Sequence, residues 1–171
     1  MAEPRIDLTR DDALTPADRA AVEALIGVVF GPQPYLISPM EWRVTLRLDG
    51  ELVSHVGLVR RTIDVGGRPL DVGGIGWVGT LAERRLGGLA SRTMRRAQEF
   101  MRQELGVEFG LLVTSQPTAP FYEKLGWSIV PGPLSFDQPS GTVVWPRVAM
   151  AFPARRSAWP GGPIDLRGLL W

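Results

Sequence analysis

The stretch ERRLGGLASRTMRRA, residues 83 to 97, sets two adjacent glycines between a pair of arginines and the start of a helical pattern. A helix N-terminus leaves backbone N–H groups unpaired and carries about half a positive charge, and glycine lets an anion approach that backbone closely. Arg85, Gly87 and Gly88 therefore suit an anion-binding turn. The alternative on the glycines alone is a strand-to-helix turn with solvated arginines beside it. No G-K-[ST] is present, so the segment is not a nucleotide P-loop. GIGWVG, residues 74 to 79, matches G-x-G-x-x-G, but no helix opens after Gly79 until about Gly87, and a dinucleotide fingerprint must open one. That match is accidental. His55, the single histidine, lies between Val53 and Val56 on an extended pattern. It reads either as a general base or as a satisfied, partly buried imidazole. With no cysteine and one histidine, thiolate nucleophiles, disulfides and a Cys- or His-rich metal centre are set aside, and a reducing compartment is expected.

These residues need elements to hold them. A chain of 171 residues, 44% apolar and 22% charged, is expected to form one compact domain. Nineteen Lys and Arg against eighteen Asp and Glu leave a net charge of +1, so no broad basic footprint for nucleic acid exists and any basic site is local. The charged beginning, MAEPRIDLTRDDALT, lacks an apolar core, and no stretch reaches the roughly 18 apolar residues of a membrane span. A cytoplasmic protein that binds no membrane is the expectation.

Thr15 and Pro16 read as N-cap and first residue of a helix over Pro16 to Phe30, with Ala21, Val22, Leu25, Ile26 and Val29 at helical spacing. Val44, Leu46 and Leu48 alternate with polar residues, Asp49-Gly50 signals a hairpin, and Gly66-Gly67 turns the chain into a strand over about Leu70 to Leu81. Three strands in an antiparallel meander follow. Ala90, Met94, Ala97, Met101 and Leu105 form the apolar stripe of a second long helix. EFGLLVTS reads as a short buried strand, APFYEKLGW as a short helix closed by Gly126, and TVVWPRVAMAF as one late strand with an edge or bulge at Pro146. The tail over 157–171 carries Trp159, Ile164, Leu166 and Trp171, too apolar for a disordered end, and is expected to pack back on the domain.

Arg85-Leu86-Gly87-Gly88-Leu89-Ala90 satisfies the pattern [RQ]-x-x-G-x-[GA], preceded by the strand-like WVGTLAERR and followed about thirty residues on by APFYEKLGW. On these residues the chain resembles the GNAT acyltransferase superfamily. Within it, SHVGLVRRTIDVGG, GIGWVGTLAERRLGGLA and GVEFG are similar to stretches of the nodulation N-acyltransferases of the NodA type. Asp165-Leu166-Arg167-Gly168-Leu169-Leu170-Trp171 resembles the D-x-R-G-x-x-W terminus of the aminoglycoside 2'-N-acetyltransferases. The resemblance implies an α/β fold with a mixed, mostly antiparallel sheet splayed between its fourth and fifth strands and flanked by helices. It also implies acetyl-CoA as co-substrate, no metal, and a small-molecule amine as acceptor. Both groups modify the 2-amine of an amino sugar, so an aminoglycoside antibiotic heads the expected acceptors.

The same resemblance places the pantetheine arm of acetyl-CoA along Val78, Gly79 and Thr80, and its pyrophosphate on the N–H groups from Leu86 through Gly87, Gly88 and Leu89 to Ala90, with Arg85 adding charge. The amine attacks the thioester directly, so proximity supplies much of the rate, and Tyr122 is expected to protonate the departing thiolate. The 2'-acetyltransferases carry a glutamate nine residues before the motif arginine. Here that position is Gly76, so the base cannot be carried over. Glu41, Asp165, Trp77 and Trp171, the last with a terminal carboxylate, are the expected acceptor contacts, and Trp42 is a further stacking candidate. Their alternatives are a solvated acid, a turn-forming Asp and packing tryptophans. Transfer of a longer acyl chain to an amino-sugar oligomer, a protein or peptide amine acceptor, and a CoA-binding module without catalysis are competing readings, and a homodimer is compatible with all of them.

Overall fold

The computed structural model describes residues 3–171, and the first strand, β1 (Arg5–Arg10), precedes the helix that Thr15 opens. The Thr15 hydroxyl accepts from the Asp18 N–H at 3.1 Å, Pro16 takes the first helical position, and α1 runs over Pro16–Phe30 as the apolar spacing dictates. The meander follows as β2 (Trp42–Leu48), β3 (Glu51–Val65) and β4 (Arg68–Thr80), all antiparallel. Asp49 and Gly50 have φ of 49° and 83°, and Gly66 and Gly67 have 61° and 83°. Positive φ at both central residues is what a tight two-residue hairpin needs.

After β4 a 3₁₀ turn (Ala82–Gly87) leads into α2 (Leu89–Phe100), which continues as one π turn (Met101–Leu105). α2 is the crossover that lets β5 (Phe109–Thr114) lie parallel to β4. A Cβ on Gly73 would meet the Met101 sulfur at 2.6 Å, and one on Gly110 would meet it at 3.1 Å. The paired glycines of β4 and β5 thus seat the end of the crossover directly on the sheet. Then come α3 (Ala119–Glu123), β6 (Ser128–Val130), β7 (Leu134–Gln138), β8 (Gly141–Val144), β9 (Val148–Pro153) and β10 (Ile164–Asp165). The sheet runs β6-β9-β5-β4-β3-β10-β7-β8, with β2 and then β1 added along the other half of β3.

Alternation along the strands divides the core. Leu58, Leu112, Met150 and Phe152 pack with Met94, Ala97 and Phe100 of α2 and with Tyr122 of α3. Val59, Leu111, Ala149 and Ala151 pack with Phe136 of β7 and with Ile164, Leu166 and Trp171 of the tail. With apolar side chains on both faces, β5 reads as an unbroken apolar run rather than an alternating one.

The mixed sheet and flanking helices agree with the expected architecture. The late strand does not: residues 142 to 152 form two strands in different parts of the sheet. The Trp145 N–H makes a last rung to the Leu134 carbonyl at 2.8 Å, Pro146 has no N–H to continue it, and the chain leaves β7 to run as β9 between β5 and β6.

Candidate active site

β4 and β5 pair only from Val72 opposite Phe109 to Gly74 opposite Leu111, and beyond that they part. Between them opens a cavity of about 520 Å³. Trp77 and Val78 of β4, Leu112 to Thr114 of β5, Tyr122 of α3, Phe30 and Tyr35 from the end of α1 onward, Trp145 and Arg147 between β8 and β9, and Trp171 of the tail line it. Arg147 is the single charged side chain in that lining, and no aspartate or glutamate among the described residues belongs to it.

Trp171 closes the apex. Its indole N–H donates to the Leu111 carbonyl at 3.2 Å, and its ring lies where a side chain on Gly74 would stand. Arg61 holds the segment leading to it, donating to the carbonyls of Leu166 at 3.2 Å and Leu169 at 2.7 Å, with its guanidinium 4.9 Å from the indole centroid. A Cβ on Gly76 would sit 2.7 Å from the main-chain carbon of Trp171. The glycine at that position is therefore required by the tail, whose chain fills the space a larger residue would take.

β4 is bulged where it faces the cavity. His55 stands opposite Gly79 and Gly57 opposite Gly76, so Trp77 and Val78 together oppose one residue of β3. Trp77 has φ of 52°, its ring edge-on to Phe30 at 5.1 Å. His55 is fully buried, with Nδ1 2.9 Å from the Trp77 carbonyl oxygen and Nε2 3.5 Å from an Arg43 nitrogen. Burial pushes its imidazole down to about 4, with the positive Arg43 adding to the effect. A neutral ring engaged at both nitrogens and closed to solvent is no general base. Of the two sequence readings, the satisfied imidazole is the one observed, and its burial is complete.

The run from Val78 to Ala90 forms one continuous ledge: the end of β4, the 3₁₀ turn and the first turn of α2. Gly88, at φ 68° and ψ 14°, precedes the helix, and no side chain caps it. The first helical bond is from the Arg92 N–H to the Gly88 carbonyl at 3.1 Å, which leaves the N–H groups of Leu89, Ala90 and Ser91 without helical partners. Leu86 and Gly87 belong to the 3₁₀ turn that leads into this helix start. Arg85 donates through Nε to the Thr80 carbonyl at 3.3 Å. Buried hydroxyls of Thr93, Ser54 and Thr80, spaced 3.0 and 2.9 Å, tie α2 to β3 and β4.

Tyr122, in the one full turn of α3, is 7% exposed and packs edge-on against Phe121 and Trp127 at 4.9 and 6.3 Å. Burial pushes its hydroxyl up to about 12, so the phenol keeps its proton at any working pH.

Trp77 and Trp171 thus stand at the cavity with Tyr122, whereas Glu41 and Asp165 do not line it. The Glu41 carboxylate accepts the Arg60 N–H at 2.8 Å beside β3, and Asp165 accepts the Arg167 N–H at 2.8 Å in a tight turn where Arg167 has φ of 50°. Trp42 packs on Phe100 at 5.5 Å in the core under α2. Sequence reasoning missed Phe30, Tyr35, Trp145 and Arg147. No local pattern marked them, since they come together only when the loop after α1 and the break at Pro146 are folded onto the sheet.

A family model described as an acetyltransferase (GNAT) domain matches residues 33–130. Among curated proteins none matches by sequence. Solved structures with the same fold include Escherichia coli ElaA, with a TM-score of 0.67 at 15% identity over 88% of this chain and 99% of that one. Escherichia coli YhbS, a GNAT family N-acetyltransferase in complex with CoA, superposes with a TM-score of 0.67 at 14% identity over 98% and 92% of the two chains. A GNAT family acetyltransferase from Brucella melitensis in complex with acetyl-CoA gives 0.62 at 15% identity over 94% of each. With more than half of the chain matched by the family model, and with the parted strands, uncapped helix and buried tyrosine already in place, the chain belongs to the GNAT acetyltransferase family and is an N-acetyltransferase.

Proposed function

We propose that the chain transfers an acetyl group from acetyl-CoA to the primary amine of an amino sugar bearing few positive charges. The observation that carries the reading is the composition of the cavity: unpaired main chain on the β4 side, aromatic rings around the rest, and no acidic side chain.

The donor fits the residues present. The uncapped amides of Leu89, Ala90 and Ser91, with Arg85 alongside, suit the pyrophosphate. The free edge of Val78, Gly79 and Thr80 suits the amide-bearing pantetheine arm. Bound there, acetyl-CoA supplies a thioester, an acyl group already activated toward an amine. The enzyme's own work is to orient and to manage protons. The acceptor nitrogen bonds to the acyl carbon as the carbon–sulfur bond breaks, and one proton must pass from nitrogen to sulfur. Tyr122 stays protonated and donates toward the departing sulfur. A thiolate titrates near 8.5, so full transfer from a phenol at about 12 is uphill, and Tyr122 acts chiefly through a hydrogen bond that strengthens as the bond breaks.

The acceptor reading rests on two features. Trp77, Tyr35 and Trp145 offer flat apolar faces of the kind on which sugar C–H faces stack. An amino-sugar amine, acidified by neighbouring oxygens, titrates well below the roughly 10.4 of lysine and arrives neutral more often, which suits a site without a carboxylate side chain. Apart from the α-carboxylate of Trp171, which lies against Gly76, the lining offers no acid to the several ammonium groups of an aminoglycoside.

The test is free-thiol release from acetyl-CoA with glucosamine, glucosamine oligomers, several aminoglycosides and an arylalkylamine as acceptors. Turnover with a monoamino sugar above all others is expected. Preference for an aminoglycoside would return the polycationic acceptor. Faster reaction of a long-chain acyl-CoA on the oligomers would favour the NodA-like alternative. A melting-temperature rise with acetyl-CoA but no thiol release with any amine would make the domain a CoA-binding module.

A further inference from the structure

We propose that His55 is a positioning residue for acetyl transfer: it holds the Trp77–Val78 bulge of β4 in the shape it takes at the cavity wall. The inference rests on the acetyl-transfer reading of the site.

The ladder explains why the bulge needs a holder. Ser54 pairs with Thr80, His55 with Gly79 and Gly57 with Gly76, while pairing of β4 with β5 ends at Gly74. Among the described residues, Trp77 and Val78 therefore have no partner residue on either neighbouring strand. A buried carbonyl left in that state is costly, and a tryptophan at φ 52° persists only when its surroundings enforce it. The His55 ring meets both demands by reaching across from β3 to the Trp77 carbonyl at 2.9 Å, replacing the missing rung with a side-chain one.

The proton inventory fixes how the ring is used. A carbonyl oxygen only accepts, so Nδ1 carries the hydrogen. A guanidinium only donates, so the bare Nε2 faces Arg43 at 3.5 Å as an acceptor. Arg43 is itself anchored by the Asp11 carboxylate at 2.8 Å, and Asp11 also receives Arg19 of α1 at 3.2 Å. One polar chain thus runs from Asp11, in the 3₁₀ turn Asp11–Ala13 after β1, through β2 and β3, to the single positive-φ non-glycine residue of β4. It selects the Nδ1–H tautomer from both ends. If the rung is lost, β4 can relax toward a regular ladder, and a slip by one residue exchanges what faces the cavity with what faces away. The main chain of Trp77 and Val78, which lines the cavity, would then be re-aimed.

Two substitutions separate holding from filling. His55→Asn offers a side-chain N–H at the place of Nδ1, whereas His55→Leu keeps the volume and removes the donor. The expected result is that His55→Leu binds acetyl-CoA with an affinity within a few-fold of the parent and keeps the acceptor KM, while kcat falls by about 10²-fold, the scale for a small misplacement of reacting groups. His55→Asn is expected to recover most of that loss. Equal kcat in parent and His55→Leu, or equal loss in both variants, would overturn the inference. A readout on the unmodified protein covers the case in which neither variant folds, and it needs no acceptor, so it also stands if the acetyl-transfer reading fails. Nitrogen-15 spectra of the imidazole at neutral pH should show Nδ1 protonated and Nε2 bare, and an Nε2–H tautomer or an imidazolium would overturn the inference.

Discussion

Two regions of this molecule do comparable binding work with different materials. The ledge from Val78 to Ser91 presents main chain: a strand end without a partner and a helix start without a cap. The walls opposite it present side chains, with Tyr35 brought to Trp145 and Trp171 from more than a hundred residues away. A main-chain surface is the same for many sequences, provided the dihedrals are kept, so it suits a ligand that does not vary. A side-chain surface changes with each substitution, so it suits the partner that distinguishes one enzyme from the next. The difference teaches where specificity can be altered without disturbing the donor.

The largest expected effect is at Tyr122, where the two regions meet. Tyr122→Phe removes one hydroxyl and little volume, so turnover should fall by about 10²- to 10⁴-fold while acetyl-CoA still raises the melting temperature. Unchanged turnover would leave Tyr122 a packing residue and detach the chemistry from α3.

Acid sharpens the comparison next, because the shape of the main-chain region depends on one titrating side chain. His55 titrates at about 4 when folded and near 6.5 when unfolded, so between those values the unfolded chain binds a proton that the folded chain refuses. Stability is then complete above about pH 6.5 and falls as the pH drops toward 4, by on the order of 3 kcal/mol from this group. Asp11, held below the usual carboxylate range by Arg43 and Arg19, acts only at lower pH. Urea titrations at pH 7 and pH 4.5 on the parent and on His55→Leu isolate the contribution. An equal pH slope in both would show that the ring does not carry it.

The smallest effects probe the ledge itself. Gly88 sits at φ 68° with nothing within 4 Å of where a Cβ would stand, so Gly88→Ala costs backbone strain alone. That strain is roughly 1–2 kcal/mol, or a fall of about 2–8 °C in Tm, together with weaker acetyl-CoA binding. Leu86 is fully exposed in the same segment, and Leu86→Ala should change neither. A Leu86 variant that loses acetyl-CoA affinity would show that side chains, too, matter on the main-chain side.

What could be read in advance follows the same division. The ledge is contiguous, so its arginine, its glycines and the helix after them could be recognised in one short stretch. α1 appeared with its observed bounds because Thr15, Pro16 and a run of spaced apolar residues act locally. β10 has two residues and exists by pairing with β3 and β7, and the tail passes close over Gly66, where a Cβ would meet the Gly161 carbonyl at 2.9 Å; no local pattern announces these contacts. Pro146 was visible as a break, but whether a proline bends a strand or divides it between two places depends on partners far along the chain. The meaning of His55 was hidden for a related reason: a histidine between valines is compatible with several roles until the unpaired carbonyl across the sheet is known.

The three-rung seam between β4 and β5 also gives the molecule a mechanical property. Beyond Gly74 and Leu111 the two strands are held only by their outer neighbours, β3 and β9, so a rotation of about 10° at the seam would move residues three positions further along, roughly 10 Å away, by about 2 Å. Met101 resting on Gly73 and Gly110 is the bearing on one face, and the Trp171 indole, bonded to Leu111 and lodged on Gly74, is the latch across the other. The aperture of the cavity is thereby tied to the tail: the segment that closes its apex also sets how wide the strands can part, and altering the latch would change reach and release together.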